Sequence, residues 1–193
     1  GRFTVYNALG ALACCYDLGI PLAKAIQALE KVPPVKGRLE VVPVPAPYTV
    51  VIDYAHTPDA LEQVLADARR VTQGRLICLF GCGGDRDKTK RPVMGEIAAS
   101  LSDLVILTSD NPRTEDPEAI LDQVAAGFPR GFADYHREPD RRAAIALALS
   151  LGRAGDVILL AGKGHETYQE IGKNRLPLDE REEIASFFEK SKV

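Results

Sequence analysis

Tryptophan is absent from the 193 residues, and aromatic residues amount to only 6%. A single-stranded nucleic acid would therefore find little to stack on. Excess positive charge is lacking as well. Twenty-four Lys and Arg face 27 Asp and Glu, a net charge of −3, so no overall field attracts a phosphate backbone and no nucleic-acid partner is expected. Four cysteines do not make a disulfide scaffold at this length, and none forms a Cys-x-x-Cys pair, which removes a zinc ribbon and a thioredoxin-type site. Reduced, buried thiols in a cytoplasmic protein are expected instead. No apolar run approaches the roughly 18 residues of a membrane helix, so membrane insertion is not expected. Residues 8–16, ALGALACCY, briefly resemble a signal segment, but Asn7 and Asp17 interrupt the flanks and an amphipathic helix accounts for them. The dinucleotide fingerprint Gly-x-Gly-x-x-Gly and the P-loop are both missing. The chain opens on Gly rather than Met, and a longer parent chain is expected.

What is present is an alternation of periods. Residues 4–18 read as a helix stopped by Gly19, and Pro21 opens a second helix ended by Pro33-Pro34. A boundary is expected there, dividing 1–34 from 35–193. Beyond it, β-branched or apolar runs (RLEVVPV, YTVVID, RLICLF, DLVILTS, DVILLA and the weaker FADYHRE) alternate with helical patterns. Those patterns begin at Thr57, Arg91, Asp116 and Asp140, and EREEIASFFEKS closes the series. TYQEIGKNRLPL reads as a hairpin around Gly172-Lys173-Asn174. The expected class is α/β, an open and mainly parallel sheet with helices on both faces, plus a short N-terminal helical segment.

Four segments carry unusual chemistry, and each directly follows an expected strand: Asp53 to Pro58, Gly81 to Lys88, Asp110 to Arg113, and Gly162 to Glu166. In an open parallel sheet all strand C-termini lie along one edge, where ligands bind. The four segments are therefore expected to line one cleft. The glycines of the second segment permit close backbone approach to a ligand, and Arg86, Lys88, Lys90 and Arg91 suit an anion at the helix start that follows. Arg113 offers a planar fork for a carboxylate, and Glu166 a partner for an ammonium, which together suggest an amino-acid site. Each charge alone also reads as a surface residue, and the Asn111-Pro112 step as a simple turn. His56 and His165 have no metal-ligand company at useful spacing, so no metal held by this chain alone is expected.

The strings FTVYNALGALA, KGRLE, DYAHTPDAL, FGCGGDRDKTKRPVMG, SDNPRTEDP and AGKGHETYQ, in this order, resemble the Mur ligases of peptidoglycan synthesis. The resemblance covers the whole chain and implies a fragment. Residues 1–34 would be the last helices of the family's central ATPase domain, and 35–193 its Rossmann-like C-terminal domain. It implies ATP-dependent amide formation through an acyl phosphate, with Mg²⁺ held mainly by residues outside this chain. By resemblance, Asn7 and His56 lie near the adenine, Asp53 near the ribose and Arg38 near the terminal phosphate. Arg86, Asp110, Asn111, Pro112, Arg113, Gly162 and Glu166 match positions that hold the incoming amino acid, and the Asp-Asn-Pro-Arg string favours meso-diaminopimelate over lysine. The second substrate, UDP-N-acetylmuramoyl-dipeptide, would be bound through domains this chain lacks. No catalytic residue is assigned within the fragment. Thr4 departs from the Asn of many relatives. A lysine-adding ligase, a folylpolyglutamate synthase-like ligase and a non-catalytic amino-acid or nucleotide module are the alternatives.

Overall fold

The computed structural model describes residues 2–190, so the expected end of the last helix at Ser191 lies outside the described residues. The chain divides into two compact units, Gly1–Val35 and Lys36–Val193. The first holds helices α1 (Arg2–Asp17) and α2 (Leu22–Leu29). Gly19 adopts φ 74°, a conformation that suits glycine, and ends α1. Val5, Tyr6, Leu9, Tyr16 and Leu18 remain exposed in this unit.

The second unit is a three-layer α/β/α sandwich. Its six-stranded sheet runs in the order β1 (Glu40–Val42), β2 (Thr49–Asp53), β6 (Val157–Ala161), β3 (Leu76–Phe80), β4 (Leu104–Leu107), β5 (Tyr135–Arg137). All neighbours are parallel except the β1–β2 pair. Strand alternation sorts the core into two layers. Val51, Cys78, Phe80, Val105 and Leu159 face helices α3 (Pro58–Arg69), α4 (Lys90–Leu101) and α5 (Pro117–Ala125). Val50, Ile52, Ile77, Leu79, Ile106, Ile158 and Leu160 face α6 (Arg141–Leu151) and α7 (Glu180–Lys190). The central strands β3 and β6 are buried at every residue, as strands covered on both faces must be. β5 is a three-residue, fully exposed edge strand, which explains its weak apolar pattern.

Helix starts follow the local sequence. Thr57 caps α3 by accepting from the Ala60 N–H, Asp116 caps α5 through the Glu118 N–H, and Asp140 caps α6 through those of Arg142 and Ala143. The expected hairpin forms as β7 (Tyr168–Ile171) with β8 (Asn174–Pro177) in a separate two-stranded sheet. Gly172, at φ 60°, makes its tight turn.

Candidate functional site

The C-terminal ends of β2, β6, β3 and β4 lie side by side along one edge of the sheet, and the four segments of unusual chemistry leave from those ends. Their backbones are held together by glycine. A Cβ on Gly81 would overlap the Thr108 carbonyl oxygen, and one on Gly84 the Pro112 carbonyl oxygen. The loop after β3 is thus pressed against the loop after β4, and the Gly84 N–H donates to the Asn111 carbonyl at 2.9 Å. This narrows the sequence reading: what requires glycine at 81 and 84 is the neighbouring loop. Positive φ falls on Asp85 and Arg113 instead, both at 52°. Gly37 and Gly164 interlock in the same way, since a Cβ on Gly37 would overlap the Gly164–His165 peptide.

The anion reading of the glycine loop also narrows. Arg91 is fully buried and bonds Glu115, Gln123 and the Gly83 carbonyl. Lys88 pairs with the same Glu115 at 3.0 Å, and Lys90 Nζ donates to the His56 carbonyl at 2.7 Å. These cations brace the loop. Arg91 and Lys88 together hold the Glu115 carboxyl down at about 2. Arg86 stays exposed, with one bond to its neighbour's carbonyl.

Arg86, Asp110, Asn111, Arg113, Gly162 and Glu166 come together around these loops. Gly83 lies against both Arg113 and Arg86, and a Cβ on Gly162 would sit 2.8 Å from Asp110 Oδ2. Pro112 is buried and supplies the carbonyl on which Gly84 rests. Asp110 is 8% exposed, and its carboxylate receives no hydrogen bond among the described residues. Arg113 is preset: Nη1 donates to the Gly84 carbonyl at 2.8 Å and Nε lies 2.9 Å from Glu170 Oε2. Its own N–H and C=O bond Glu170 and Gly172, which docks the β7–β8 hairpin onto the loop after β4. A cavity of about 300 Å³ opens here, lined by Arg113, Asp85, Glu170, Lys173 and Arg175 among others.

Glu166 already has a cation. Lys163, fully buried, donates to Glu166 Oε2 at 2.8 Å and to Asn111 Oδ1 at 3.0 Å, while Asn111 Nδ2 donates to the same Oε2 at 3.1 Å. Burial pushes the Glu166 carboxyl up, but Lys163, Asn111 and His165 outweigh it and keep the group below the usual glutamate range. The sequence reading passed over Lys163. Its place between two glycines was visible, but its burial was not.

Arg38, Asp53 and His56 form a second group at the same edge. Asp53 Oδ1 accepts from the Ala55 N–H at 2.8 Å and Oδ2 from the Leu39 N–H at 2.7 Å, pinning the turn that carries Arg38. Burial raises the Asp53 pKa above the usual aspartate value, against those N–H groups and the Arg38 charge. Arg38 lies over the Tyr54 ring at 4.9 Å, and the rings of His56 and His165 pack on Tyr54 at 4.6 and 5.0 Å. Tyr54 thus joins this group to the Glu166 loop. Asn7 belongs to the other compact unit, on the α1 helix. Among the described residues no cluster of three or more His, Cys, Asp or Glu could hold a metal ion, and no helix is long and apolar enough to cross a membrane.

The second unit is thus an open α/β domain with interlocked glycine loops and opposite charges gathered at the ends of its parallel strands. The chain belongs to the Mur ligase family: the family profile for the Mur ligase glutamate ligase domain matches residues 37–164. It is 50% identical over 182 residues to the UDP-N-acetylmuramoyl-L-alanyl-D-glutamate–2,6-diaminopimelate ligase of Clostridioides difficile (strain 630), covering 94% of this chain and 38% of that protein. Against the enzyme of the same name from Synechococcus elongatus (strain ATCC 33912 / PCC 7942 / FACHB-805) the identity is 52% over 184 residues, covering 95% and 37%. A solved structure of a ligase bearing this name superposes with a TM-score of 0.79 at 41% identity, over 100% of this chain and 39% of that one. The chain therefore spans well under half the length of the curated relatives it matches.

Proposed function

We propose that this chain is the acceptor-binding, ATP-contacting C-terminal part of a ligase that adds meso-diaminopimelate to UDP-N-acetylmuramoyl-L-alanyl-D-glutamate in the cytoplasm. The observation that carries this reading is the convergence of Asp110, Glu166 and Arg113 on one edge, with Arg113 and Glu166 braced by internal bonds and the Asp110 carboxylate left without one among the described residues. Diaminopimelate presents a carboxylate and an ammonium at its far end. Arg113 answers the carboxylate, with Arg86 beside it. Asp110 and Glu166 answer the ammonium, while Asn111, whose Oδ1 already accepts from Lys163 and from the Glu170 N–H, has an amide N–H to offer a carboxylate. The bare Gly162 leaves Asp110 room toward the ligand. Held this way, the acceptor's other amine is presented to an acyl phosphate on the D-glutamate, and the amide forms as phosphate leaves.

ATP fits the second group of residues. Arg38 is an exposed guanidinium for a terminal phosphate, and the exposed His56 ring is available to the adenine. Asp53, with both oxygens engaged by backbone N–H groups, first holds the Arg38 turn and accepts a ribose hydroxyl as an additional donor. Residues 1–34, with Asn7 on the adenine side, are read as the last helices of the ATPase domain, and 35–193 as the C-terminal domain. Mg²⁺, which would neutralise phosphate charge, is assigned to ligands elsewhere in the longer protein, and UDP-N-acetylmuramoyl-dipeptide to domains outside this chain.

The test is turnover by the full-length ligase with ATP, Mg²⁺ and the muramoyl-dipeptide, comparing diaminopimelate with lysine. The expected kcat/KM ratio favours diaminopimelate by about 100-fold or more, the cost of leaving the Arg without its carboxylate. Equal use of the two, or preference for lysine, would overturn the substrate assignment.

A further inference from the structure

We propose that Lys163 is a positioning residue for the acceptor: its buried ammonium fixes Glu166, directly and through Asn111, in the orientation in which that carboxylate meets an incoming ammonium group. This deepens, and rests on, the reading of Glu166 as an acceptor contact. Nothing of Lys163 is exposed. An ammonium has three N–H donors. One goes to Asn111 Oδ1, one to Glu166 Oε2, and the remaining face of the group looks toward the Tyr168 ring, whose centroid is 5.3 Å away. With two donors bonded and no exposed surface, the group does not itself take a ligand.

Its effect is on direction. Asn111 Oδ1 accepts both from Lys163 and from the Glu170 N–H, the latter at 2.9 Å. With the oxygen committed on that side, the amide nitrogen must face Glu166 Oε2, where it is found. Glu166 Oε2 is filled by Lys163 and Asn111 together, while Oε1 receives only the Tyr168 hydroxyl at 3.4 Å. The oxygen left with accepting capacity is therefore Oε1. One buried cation thus selects, directly and through Asn111, which oxygen of the carboxylate remains for the substrate. A stability role alone would not require it, because buried ion pairs are commonly replaced by apolar side chains at little cost.

A double-mutant cycle in the full-length ligase tests this, with Lys163→Met, Glu166→Gln and the double variant. Lys163→Met should raise the KM for diaminopimelate on the order of 10- to 100-fold, the penalty of leaving buried acceptors without their donor. The KM for ATP should stay within about twofold. Because Lys163 acts through Glu166, the double variant should bind diaminopimelate no worse than Glu166→Gln alone. An unmoved diaminopimelate KM, an equal rise for ATP, or multiplicative losses in the double variant would each overturn the proposal. If Lys163→Met alone does not fold, the double variant, which leaves no uncompensated buried carboxylate, is compared with Glu166→Gln directly. Additional loss there, or failure of the double variant to fold, would mean that Lys163 serves the core and not the acceptor. Wild-type turnover separates the two levels. No product with diaminopimelate sinks the functional reading and this proposal with it, whereas turnover with an unmoved Lys163→Met sinks the proposal alone.

Discussion

The two edges of the sheet use the same residue types to different ends. At the edge where strands begin, Asp156 accepts from the Arg75 N–H, from the Arg75 guanidinium and from the Arg153 N–H, and its side chain is 3% exposed. Asp103 likewise takes the Leu76 N–H and Arg69. Burial opposes ionisation of both, but these donors outweigh it and keep both carboxyls below the usual aspartate range. At the edge where strands end, the Asp110 carboxylate receives no hydrogen bond among the described residues, and Glu166 keeps one oxygen nearly free. Parallel strands align their ends, so both edges gather loops. Asp103 and Asp156 are each engaged by several donors, whereas Asp110 and Glu166 keep accepting capacity, and that surplus singles out the candidate binding edge.

The comparison is sharpest at a buried pair of the same edge, where the Arg141 guanidinium is spent although Glu180 Oε2 has no hydrogen-bond partner. Arg141 and Glu180 are both fully buried there, and Arg141 also bonds the Ser109 and Ala161 carbonyls at the ends of β4 and β6. Arg141→Met should cost about 3–5 kcal/mol of stability, because Glu180 is left buried and unpaired. Urea midpoints of the full-length protein measure this, and a loss under about 1 kcal/mol would break the idea that saturation means structure. Arg113→Ala should do the reverse. Diaminopimelate kcat/KM should fall on the order of 10²–10³-fold, while the urea midpoint barely moves and lysine loses far less. Losses within about threefold would return Arg113 to the class of turn residues.

At the opposite edge, Asp156→Asn should cost about 1–3 kcal/mol and leave the KM values for both ATP and diaminopimelate unchanged. A selective rise in either KM would contradict the division between edges. The smallest effect concerns Glu115, which braces the glycine loop. Its carboxyl is held near 2 against an ordinary 4.5, so the stability it contributes is fully present above the ordinary value and is lost as pH falls toward 2. Glu115→Gln should therefore flatten the decline of the urea midpoint between about pH 5 and 3. An unchanged slope would show that Glu115 does not govern that range.

Much of this was readable along the chain. Apolar runs alternating with capped amphipathic stretches specify an open α/β sheet because side-chain periods of two and 3.6 sort residues onto faces without long-range information. The strand-end location of Asp53, Arg86, Asp110 and Glu166 followed from that order alone. The roles of glycine and of the buried cations did not. Gly81 and Gly84 read as ligand contacts until the fold pressed them against Thr108 and Pro112, and Arg91 read as an anion site until Glu115 was found 24 residues away in sequence. Lys163 could not be placed at all, because its partner Asn111 lies 52 residues distant.

Local sequence thus determined which elements form, where they stop and which four loops share an edge, since propensity, capping and periodicity act over a few residues. Tertiary structure decided which charges are spent and which are left. Saturation depends on donors and acceptors meeting across strands that are distant in sequence, and on water being excluded when they meet.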